Sequence, residues 1–406
     1  MRIPGLFAVA LASCAPGFRG PAASETGATF KDLTSRDLTV LPEPRAVVGP
    51  AGLFVTKVPA TEAPVLEMTE GAARVSWSIG TRESVQCMVY GQRMNVADLL
   101  SSALTNVNKL ATAARLEDTD AGELAGEPFL AFAVLYGSNS CVGSDVGELK
   151  LIAVAHHALS FICTHDEPGY HGAFQRAVGA FTHNLVVITD SERPQPEYRG
   201  IHRISKSDTR VGFIDSWTET LQGDEIAYNS SLALLRVQSD NTLVGLDMDT
   251  YEVADASNHL LEARYVSIEN HNELANIELS QKDAKVFNVY GSCAGRAVRA
   301  ELAPVQGMFG EYGQARLIAE SVARGDRAWS APTFDPLRPD AVQEVSFALS
   351  GSEEGGLPLV TVKRSDRDLQ IAVDPHGHPT VIFLPNDHGR ARLIARRVWS
   401  VGEPAQ

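Results

Sequence analysis

The feature that most constrains the fold is a series of short segments in the second half of the chain in which apolar and polar residues alternate. A period of two places every second side chain on one face, as in a half-buried β-strand. Turn-forming residues separate the segments, for example Ser239-Asp240-Asn241 and the run from Asp374 to Gly377. The predicted strands are residues 231–238, 242–247, 261–268, 285–290, 345–349, 359–363, 369–373 and 380–384.

One segment of this half has a helical pattern instead. A helix is predicted from about Gln314 to Arg324, and Gly325 directly after it is the residue type that commonly ends a helix. Many strands with a single helix predict a mainly antiparallel β domain, built as a curved sheet or a partial barrel. Because such a shape can enclose an apolar ligand, a carrier function in this half is one of the alternatives for the protein.

The first half combines strand and helix patterns. Apolar residues alternate around Val75 and again around Val85, which predicts a strand pair, and Asn95 is placed to cap a helix with one apolar face. A closing helix carries Phe174 and Phe181 on one face. The other predicted strands are 129–136, 149–155 and 159–165. Helices packed on an antiparallel sheet make an α+β sandwich.

Residues 50–190 resemble the PsbP-like fold family in this order of elements. The resemblance rests on the predicted strand Glu-Pro-Phe-Leu-Ala-Phe-Ala-Val, residues 127–134, which follows a helix, and on the closing segment Ala-Leu-Ser-Phe-Ile-Cys-Thr-His-Asp-Glu-Pro-Gly-Tyr, residues 158–170. It implies a PsbP-like antiparallel sheet with packed helices. Members of that family are mostly binding and assembly factors rather than enzymes, and many are exported or lipid-anchored. The resemblance assigns no functional residue to this chain.

The overall charge excludes some partners. Acidic residues outnumber basic ones by 50 to 35, so the formal net charge of the 406-residue chain is −15. An acidic surface repels phosphate backbones, so nucleic acid is not an expected partner. It also opposes docking on anionic lipid, so attachment to a membrane would need a covalent anchor. Beyond the first residues, no apolar run approaches the roughly 18–20 residues of a spanning helix.

The first fourteen residues have the pattern of an export signal. Met1-Arg2 is followed by a mainly apolar stretch and by small residues before Cys14. The tetrad Leu11-Ala12-Ser13-Cys14 resembles the lipobox of bacterial lipoproteins, which implies cleavage before Cys14 and lipidation of its thiol. Ala15 after the cysteine implies sorting to the periplasmic face of the outer membrane. The alternatives are a soluble exported protein, cut after Ala12 or Ala23, and a cytosolic protein with an apolar start.

Composition along the chain predicts its organisation. Small residues, proline and glycine follow Cys14, which is typical of a flexible tether, and the polar stretch at about 190–210 carries two prolines, which indicates a linker. The predicted parts are a signal peptide at 1–13, a lipidated cysteine and tether at 14–48, the PsbP-like α+β domain at 49–190, the linker at 191–210 and the mainly β domain at 211–406.

Four cysteines remain in the mature chain, and an oxidising periplasm permits disulfides among them. Cys87, Cys141 and Cys163 lie in the first half and Cys293 in the second, so two bridges within domains are impossible. At least one thiol is therefore free or bridged between domains. Buried, unpaired cysteines acting as small apolar residues are the other interpretation.

The segment Gly291-Ser292-Cys293-Ala294-Gly295 has the outline of a nucleophile elbow with cysteine in place of serine. An acidic residue and a histidine follow it in the chain order of hydrolase triads. The acidic candidates are Asp335 and Asp340, and the histidines are His376, His378 and His388. Because a nucleophile elbow needs a strand, a sharp turn and a helix in a parallel sheet, a β-hairpin turn is the preferred interpretation, and an exported hydrolase that uses Cys293 remains an alternative function.

Other groups of polar residues do not match the motifs of metal or phosphate sites. The histidines His156, His157, His165 and His171, with the neighbouring acids Asp166 and Glu167, lack the spacing of zinc motifs. The acids Asp247, Asp249, Glu252 and Asp255 lack the glycine and glutamate of a calcium loop. No glycine-rich phosphate motif occurs. The sequence therefore predicts no metal, no cofactor and no catalytic residue.

Two further residue groups are interpreted as structural. Tryptophans in β proteins are more often core residues than sugar-stacking platforms; those of this chain are Trp77, Trp217, Trp329 and Trp399. A basic group near the C-terminus has the charge to contact acidic partners or anionic lipid, yet its alternation with apolar residues favours a terminal strand or helix with one solvated face. Its members are Arg390, Arg392, Arg396 and Arg397.

The leading hypothesis is an exported cell-envelope protein, anchored in the membrane through lipid on Cys14, with a non-enzymatic binding or assembly role. An envelope protein partner is the expected kind of partner.

Overall fold

The computed structural model describes residues 30–69, 71–91, 113–140, 143–155, 159–188, 196–206, 209–237, 243–269, 272–283, 286–303, 307–353, 355–364, 368–384 and 393–402. The chain divides into two compact units. Unit 1 contains residues 1–194 and 235–245, and unit 2 contains residues 195–234 and 246–406. No helix among the described residues is both long and apolar enough to span a membrane.

Unit 1 is built on two antiparallel sheets. The described elements of this unit are α1 (Phe30–Thr34), β1 (Pro44–Val48), a 3-10 turn (Pro50–Gly52), β2 (Phe54–Pro59), β3 (Val65–Thr69), β4 (Ala72–Trp77), β5 (Val85–Tyr90), β6 (Ala113–Leu124), β7 (Glu127–Ser140), β8 (Gly143–Ala155), β9 (Ser160–His165), α2 (His171–His183) and β10 (Val186–Val187). A three-stranded sheet has the order β1-β2-β10, and a seven-stranded sheet has the order β3-β4-β5-β9-β8-β7-β6.

Helix α2 lies on β2 and covers the core of unit 1. Its apolar face recurs every three or four residues and ends at Phe181, which is fully buried. The Phe181 ring stacks on the Trp77 ring with centroids 5.9 Å apart. Its centroid lies 4.9 Å from that of Phe161 and 6.3 Å from that of Phe54, with both rings tilted. Aromatic packing of this density fixes the helix against both sheets.

The expected α+β, PsbP-like class for the first half is wrong. In the described residues strands account for 62 % and helices for 11 %, so the protein is mostly antiparallel β. The cause is visible in β6, which spans Ala113–Leu124 and contains four acidic residues, so it lacks the apolar alternation that predicts a strand. The short strands β1, β2 and β3 were also unpredicted. The predicted helix after Asn95 lies outside the described residues.

The described residues of unit 2 form one sheet of fourteen antiparallel strands. The elements are β11 (Tyr198–Lys206), β12 (Thr209–Thr220), β13 (Ile226–Val237), β14 (Leu243–Ala254), β15 (Leu260–Glu269), β16 (Asn272–Asp283), β17 (Val286–Cys293), β18 (Arg296–Leu302), α3 (Glu311–Arg324), β19 (Ala328–Thr333), β20 (Gln343–Ser352), β21 (Pro358–Lys363), β22 (Asp368–Val373), β23 (Pro379–Leu384) and β24 (Leu393–Val401). Strands β11 to β18 are neighbours in chain order, β19 to β24 form a second such run, and β24 pairs with β11 to join the two.

Two predicted boundaries differ from the structure. The expected linker 191–210 contains strand β11, which pairs with β12 on one side and β24 on the other and buries Ile201 and Ile204. The prolines that indicated a linker lie before this strand. The expected tether 14–48 contains α1 and β1 in its last part.

Helix α3 begins three residues before the predicted start. The carboxylate of Glu252, on β14, accepts hydrogen bonds from the backbone N–H groups of Glu311 at 2.7 Å and Tyr312 at 3.0 Å. A carboxylate at this end satisfies N–H groups that have no partner within the helix. The helix ends at Gly325, as predicted, with the glycine in the left-handed conformation at φ 83°.

Candidate binding cavity

Unit 2 contains a partly open cavity of about 190 Å³. One wall is a single face of α3, formed by Glu311, Gln314, Ala315 and Ile318 at helical spacing. The other walls come from strands in both runs of the sheet. Their apolar lining includes Ile214, Leu232, Val362, Leu369, Ile371 and Ile382. The helix therefore covers a concave, mostly aliphatic surface.

The strand period explains why these side chains face the cavity. On β13, Tyr228, Ser230 and Leu232 are two residues apart and all line it; the same spacing holds for Met248 and Thr250 on β14. Several of these positions carry small polar side chains, and small side chains leave the space open.

His202 places a buried imidazole in the wall. Its Nε2 lies 2.8 Å from the carbonyl oxygen of Pro379. Since a carbonyl oxygen only accepts hydrogen bonds, Nε2 carries the proton. Burial lowers the pKa of His202 to about 4, so the ring is neutral near pH 7. Nδ1 of the same ring is buried and has no hydrogen-bond partner among the described residues.

Gln314 and Arg364 supply a second polar region of the wall. A guanidinium N–H of Arg364 donates to the Gln314 Oε1 at 3.3 Å, which leaves the Gln314 Nε2 as the donor end of the amide. That Nε2 atom, and the Nε of Arg364, are buried without a partner among the described residues. Glu311 contributes a carboxylate to the same lining.

Beneath the start of α3, Glu252 is fully buried, and burial raises the pKa of its carboxyl. Hydrogen bonds from Tyr265, 2.6 Å away, and from the helix N–H groups oppose that rise, as does the charge of Arg364. Glu252, predicted from the sequence only as a member of an acidic run, thus acts as a helix cap. Its role required the chain to bring β14 beneath α3, which no local pattern indicates.

The other acids of that run do not converge on one point. Asp249 accepts a hydrogen bond from the Ser231 hydroxyl at 2.7 Å, and Asp255 accepts backbone N–H groups in its own turn. Among the described residues, no group of three or more histidine, cysteine or acidic side chains is arranged to hold a metal ion.

The described histidines and acids of unit 1 form a polar cluster of mixed burial instead. His171 donates to Glu148 at 2.7 Å, and the Tyr136 hydroxyl donates to Asp166 at 2.6 Å. His165 lies 3.0 Å from the Thr81 hydroxyl. Each of these groups therefore has a protein partner, while His156 and His157 lie outside the described residues.

Lys150 lies at the centre of this cluster and lines a second cavity of about 180 Å³. Burial lowers the pKa of Lys150 to about 8, and the nearby carboxylates oppose this effect. Its ammonium contacts the Glu167 carbonyl oxygen and the Glu148 carboxylate, the latter at 3.6 Å. The charge of Lys150 is thus balanced by the groups that hold it.

Cys293 lies in a hairpin rather than in a nucleophile elbow. It is the last residue of β17 and pairs with Arg296, the first residue of β18. The two residues of the turn, Ala294 and Gly295, have φ values of 50° and 74°, as a two-residue type I′ turn requires. A strand–turn–strand unit in an antiparallel sheet lacks the helix that an elbow needs.

The expected triad partners of Cys293 are engaged elsewhere. Asp335 accepts the backbone N–H of Leu337, and His378 stacks on the Tyr198 ring with centroids 3.5 Å apart. His376 lies in the turn that the Asp374 carboxylate closes. No hydrogen bond or ion pair in the described part of the chain joins these groups to Cys293, and His388 lies outside that part.

The tryptophan and arginine groups are built into strands. Trp77 belongs to the core of unit 1, and Trp329 stacks on Phe347 at 5.5 Å. Arg199 lies over Trp217 and forms a buried ion pair with Asp215. The two described arginines of the C-terminal group, Arg396 and Arg397, lie on β24 and pair with Glu353 at 3.2 Å and Asp374 at 2.8 Å. Trp399 also lies on β24.

Cys87 and Cys163 form a disulfide within unit 1. They are directly opposed on the neighbouring strands β5 and β9, and both are fully buried. Cys293 is free and half-buried, and Cys141 lies outside the described residues. The bridge thus joins two cysteines of the first half, one of the pairings that the sequence left open.

Comparison with other proteins gives a distant structural similarity. No family model and no curated protein matches the sequence. One similar solved structure is the β-barrel-like protein of domain of unknown function DUF1849 from Brucella abortus. The two chains are 10 % identical with a TM-score of 0.39, and the similarity covers 50 % of this chain and 97 % of that one. At this level the similarity carries no information on function.

Proposed function

We propose that this protein is an exported cell-envelope protein that binds a small apolar molecule in the cavity of unit 2, without catalysing a reaction. The observation that carries the proposal is the aliphatic cavity between α3 and the sheet. Apolar pockets with a few placed polar groups are typical of small-molecule sites. A binding role is the one expected from the sequence, and the cavity supports that expectation.

The size of the cavity sets the size of the ligand. An apolar cavity of roughly 150 Å³ stays dry and binds benzene, which has six carbon atoms. By the same ratio, the volume of about 190 Å³ in unit 2 accommodates roughly eight non-hydrogen atoms. This is the size of a medium-length alkyl chain or a segment of a longer one.

Two observations support export and an envelope location. The first residues have the pattern of a lipoprotein signal ending at Cys14. The disulfide between Cys87 and Cys163 is of the kind that persists in oxidising compartments. We propose that lipid on Cys14 attaches the chain to the periplasmic face of the outer membrane, where an envelope protein would be its partner.

The anchor is tested by intact-mass measurement of protein extracted from its native membranes, with Cys14→Ser as the control. A chain that begins at Cys14 and carries acyl groups, which the control loses, supports this part of the proposal. An unlipidated chain that starts elsewhere contradicts it.

The ligand is tested by native mass spectrometry of the full chain, purified gently from its native source. We expect a bound small molecule at one copy per chain. Ile318→Trp fills the cavity from the α3 side and should abolish the adduct, whereas Glu320→Trp, on the exposed side of the same helix, should retain it. An empty wild-type protein, or an adduct that survives Ile318→Trp, contradicts the proposal.

The hydrolase alternative has less support, because the hairpin at Cys293 lacks the elbow geometry. If any hydrolytic activity is detected, a Cys293→Ala variant that retains it excludes the thiol mechanism.

A further inference from the structure

We propose that the cavity of unit 2 selects a neutral amphiphile, an apolar chain that carries a group able both to donate and to accept hydrogen bonds, over a carboxylate of the same length. This inference rests on the proposed binding function and adds the chemistry of the ligand's polar group. An alcohol is the simplest group of this kind.

The first step concerns the acceptor in the wall. Because the protonated Nε2 of His202 is used by the Pro379 carbonyl, Nδ1 presents a lone pair without a partner. Only a donor satisfies that atom. A carboxylate has no donor hydrogen, whereas an alcohol has one.

The second step concerns the donor in the wall. The Gln314 amide is oriented by the hydrogen bond that its oxygen accepts from Arg364, so its NH₂ group is left as a buried donor without a partner among the described residues. The oxygen of an alcohol or an ester accepts such a bond. Buried polar atoms without partners are rare in folded proteins, and a ligand that supplies the missing partners gains affinity from both atoms.

The third step concerns charge. The ionisable residues that line the cavity are His202, Tyr228, Glu311 and Arg364. The histidine is neutral near pH 7 and burial raises the pKa of the Tyr228 phenol, so both are uncharged. Arg364 and Glu311 carry opposite charges in the same lining, and the Glu252 carboxyl lies beneath the start of the helix, within the field of Arg364. Because these charges compensate, an anionic group finds no excess of positive charge to offset its loss of hydration.

The experiment is calorimetric titration of the full chain with octan-1-ol, octanoate and toluene at about pH 7.5, where a carboxylic acid is ionised. Octanol should bind at least about tenfold more tightly than octanoate, since burial of an uncompensated carboxylate is costly. Toluene has no polar group and reports on the apolar cavity alone.

Two variants test the polar contacts separately. Gln314→Leu and His202→Phe should each weaken octanol binding by about fivefold, the effect of one lost hydrogen bond, and leave toluene binding unchanged or stronger. Gln281→Leu, at an exposed position on β16, is the matched control and should change neither. Since His202 also bonds to the backbone, Gln314→Leu provides the test if His202→Phe does not fold.

The outcomes separate this inference from the proposed function. If toluene binds but octanol has no advantage over octanoate, or if Gln314→Leu leaves octanol affinity unchanged, the selection of a neutral group is wrong while the apolar site stands. If neither toluene nor octanol binds, the proposed function fails, and this inference fails with it.

Discussion

Lys150 and Glu148 carry opposite charges in the interior of unit 1, where each side chain is only 3 % exposed. Burial alone would raise the pKa of Glu148, but the hydrogen bond from His171, the charge of Lys150 and the N–H of Gly169 together lower it. The carboxylate is therefore ionised and depends on its partners. A buried charge that loses one partner is strongly destabilising.

We predict that Lys150→Met lowers the free energy of unfolding by about 3 kcal/mol. The matched control is Lys282→Met, which removes an exposed ion pair with Glu301 of 3.0 Å and should cost less than about 1 kcal/mol. Urea unfolding followed by circular dichroism measures both. Equal losses in the two variants would show that the buried lysine has no special role.

The raised pKa of Asp166 predicts that the free energy of unfolding depends on pH. Burial raises its pKa to about 7, although the Tyr136 hydrogen bond and the Lys150 charge lower it. Between the unfolded pKa of 3.8 and about 7, the folded state binds more protons than the unfolded state, so this residue's contribution to stability falls as pH rises through that window.

Asp166→Asn keeps an oxygen to accept the Tyr136 hydroxyl and removes the titration. Relative to wild type, the variant should gain about 2 kcal/mol of unfolding free energy between pH 5 and pH 8. The neighbouring His165 titrates in both proteins and cancels in the difference. A constant difference between the variant and the wild type across this pH range would contradict the account.

For individual residues, the sequence predicted the strands that carry Cys87 and Cys163 but left the pairing of the cysteines open, because this pairing depends on which strands become neighbours. The cavity residues were missed for the same reason. His202, Gln314 and Arg364 come from distant parts of the chain, and their meeting depends on the order of fourteen strands.

Among the elements, the hairpin β17–β18 shows how local residues set a turn. Ala294 adopts φ 50°, a left-handed conformation that costs a residue with a Cβ roughly 1–2 kcal/mol. Asn-Gly is the preferred pair for this turn type, because asparagine tolerates that conformation.

We predict that Ala294→Asn raises the free energy of unfolding by about 0.5–1 kcal/mol. The same substitution at Ala297, an exposed position within β18, should lower it slightly, since asparagine is disfavoured in strands. Thermal unfolding of the wild type and the two variants measures both changes in stability. A loss of stability in Ala294→Asn would mean that the turn is held by other contacts.

Elements with clean periodicity were predicted well, and elements stabilised by their neighbours were not. The closing helix of unit 1 and most strands of unit 2 have apolar residues at the expected period. Strand β6 is acidic and is held by its pairing with β7. Helix α3 starts early because Glu252, from another strand, caps it. Tertiary contacts of this kind override local propensity.

For the whole molecule, antiparallel pairing explains both units. The α+β interpretation was wrong because most described residues of unit 1 belong to the strands of its two sheets rather than to helices. In unit 2, the two runs of strands meet at β11 and β24, and α3 occupies the interval between β18 and β19. The cavity follows from this arrangement, since a single helix of fourteen residues covers strands from both runs.

The most direct measurement is a crystal structure of the full chain soaked with 6-bromohexan-1-ol, whose size of about eight non-hydrogen atoms matches the cavity, with the bromine located by anomalous scattering. We predict a bromine peak among Ile318, Ile371 and Ile382, with the hydroxyl near His202 or Gln314. A peak confined to the outer surface, or an empty cavity at saturating ligand, would contradict the assignment of unit 2 as the binding site.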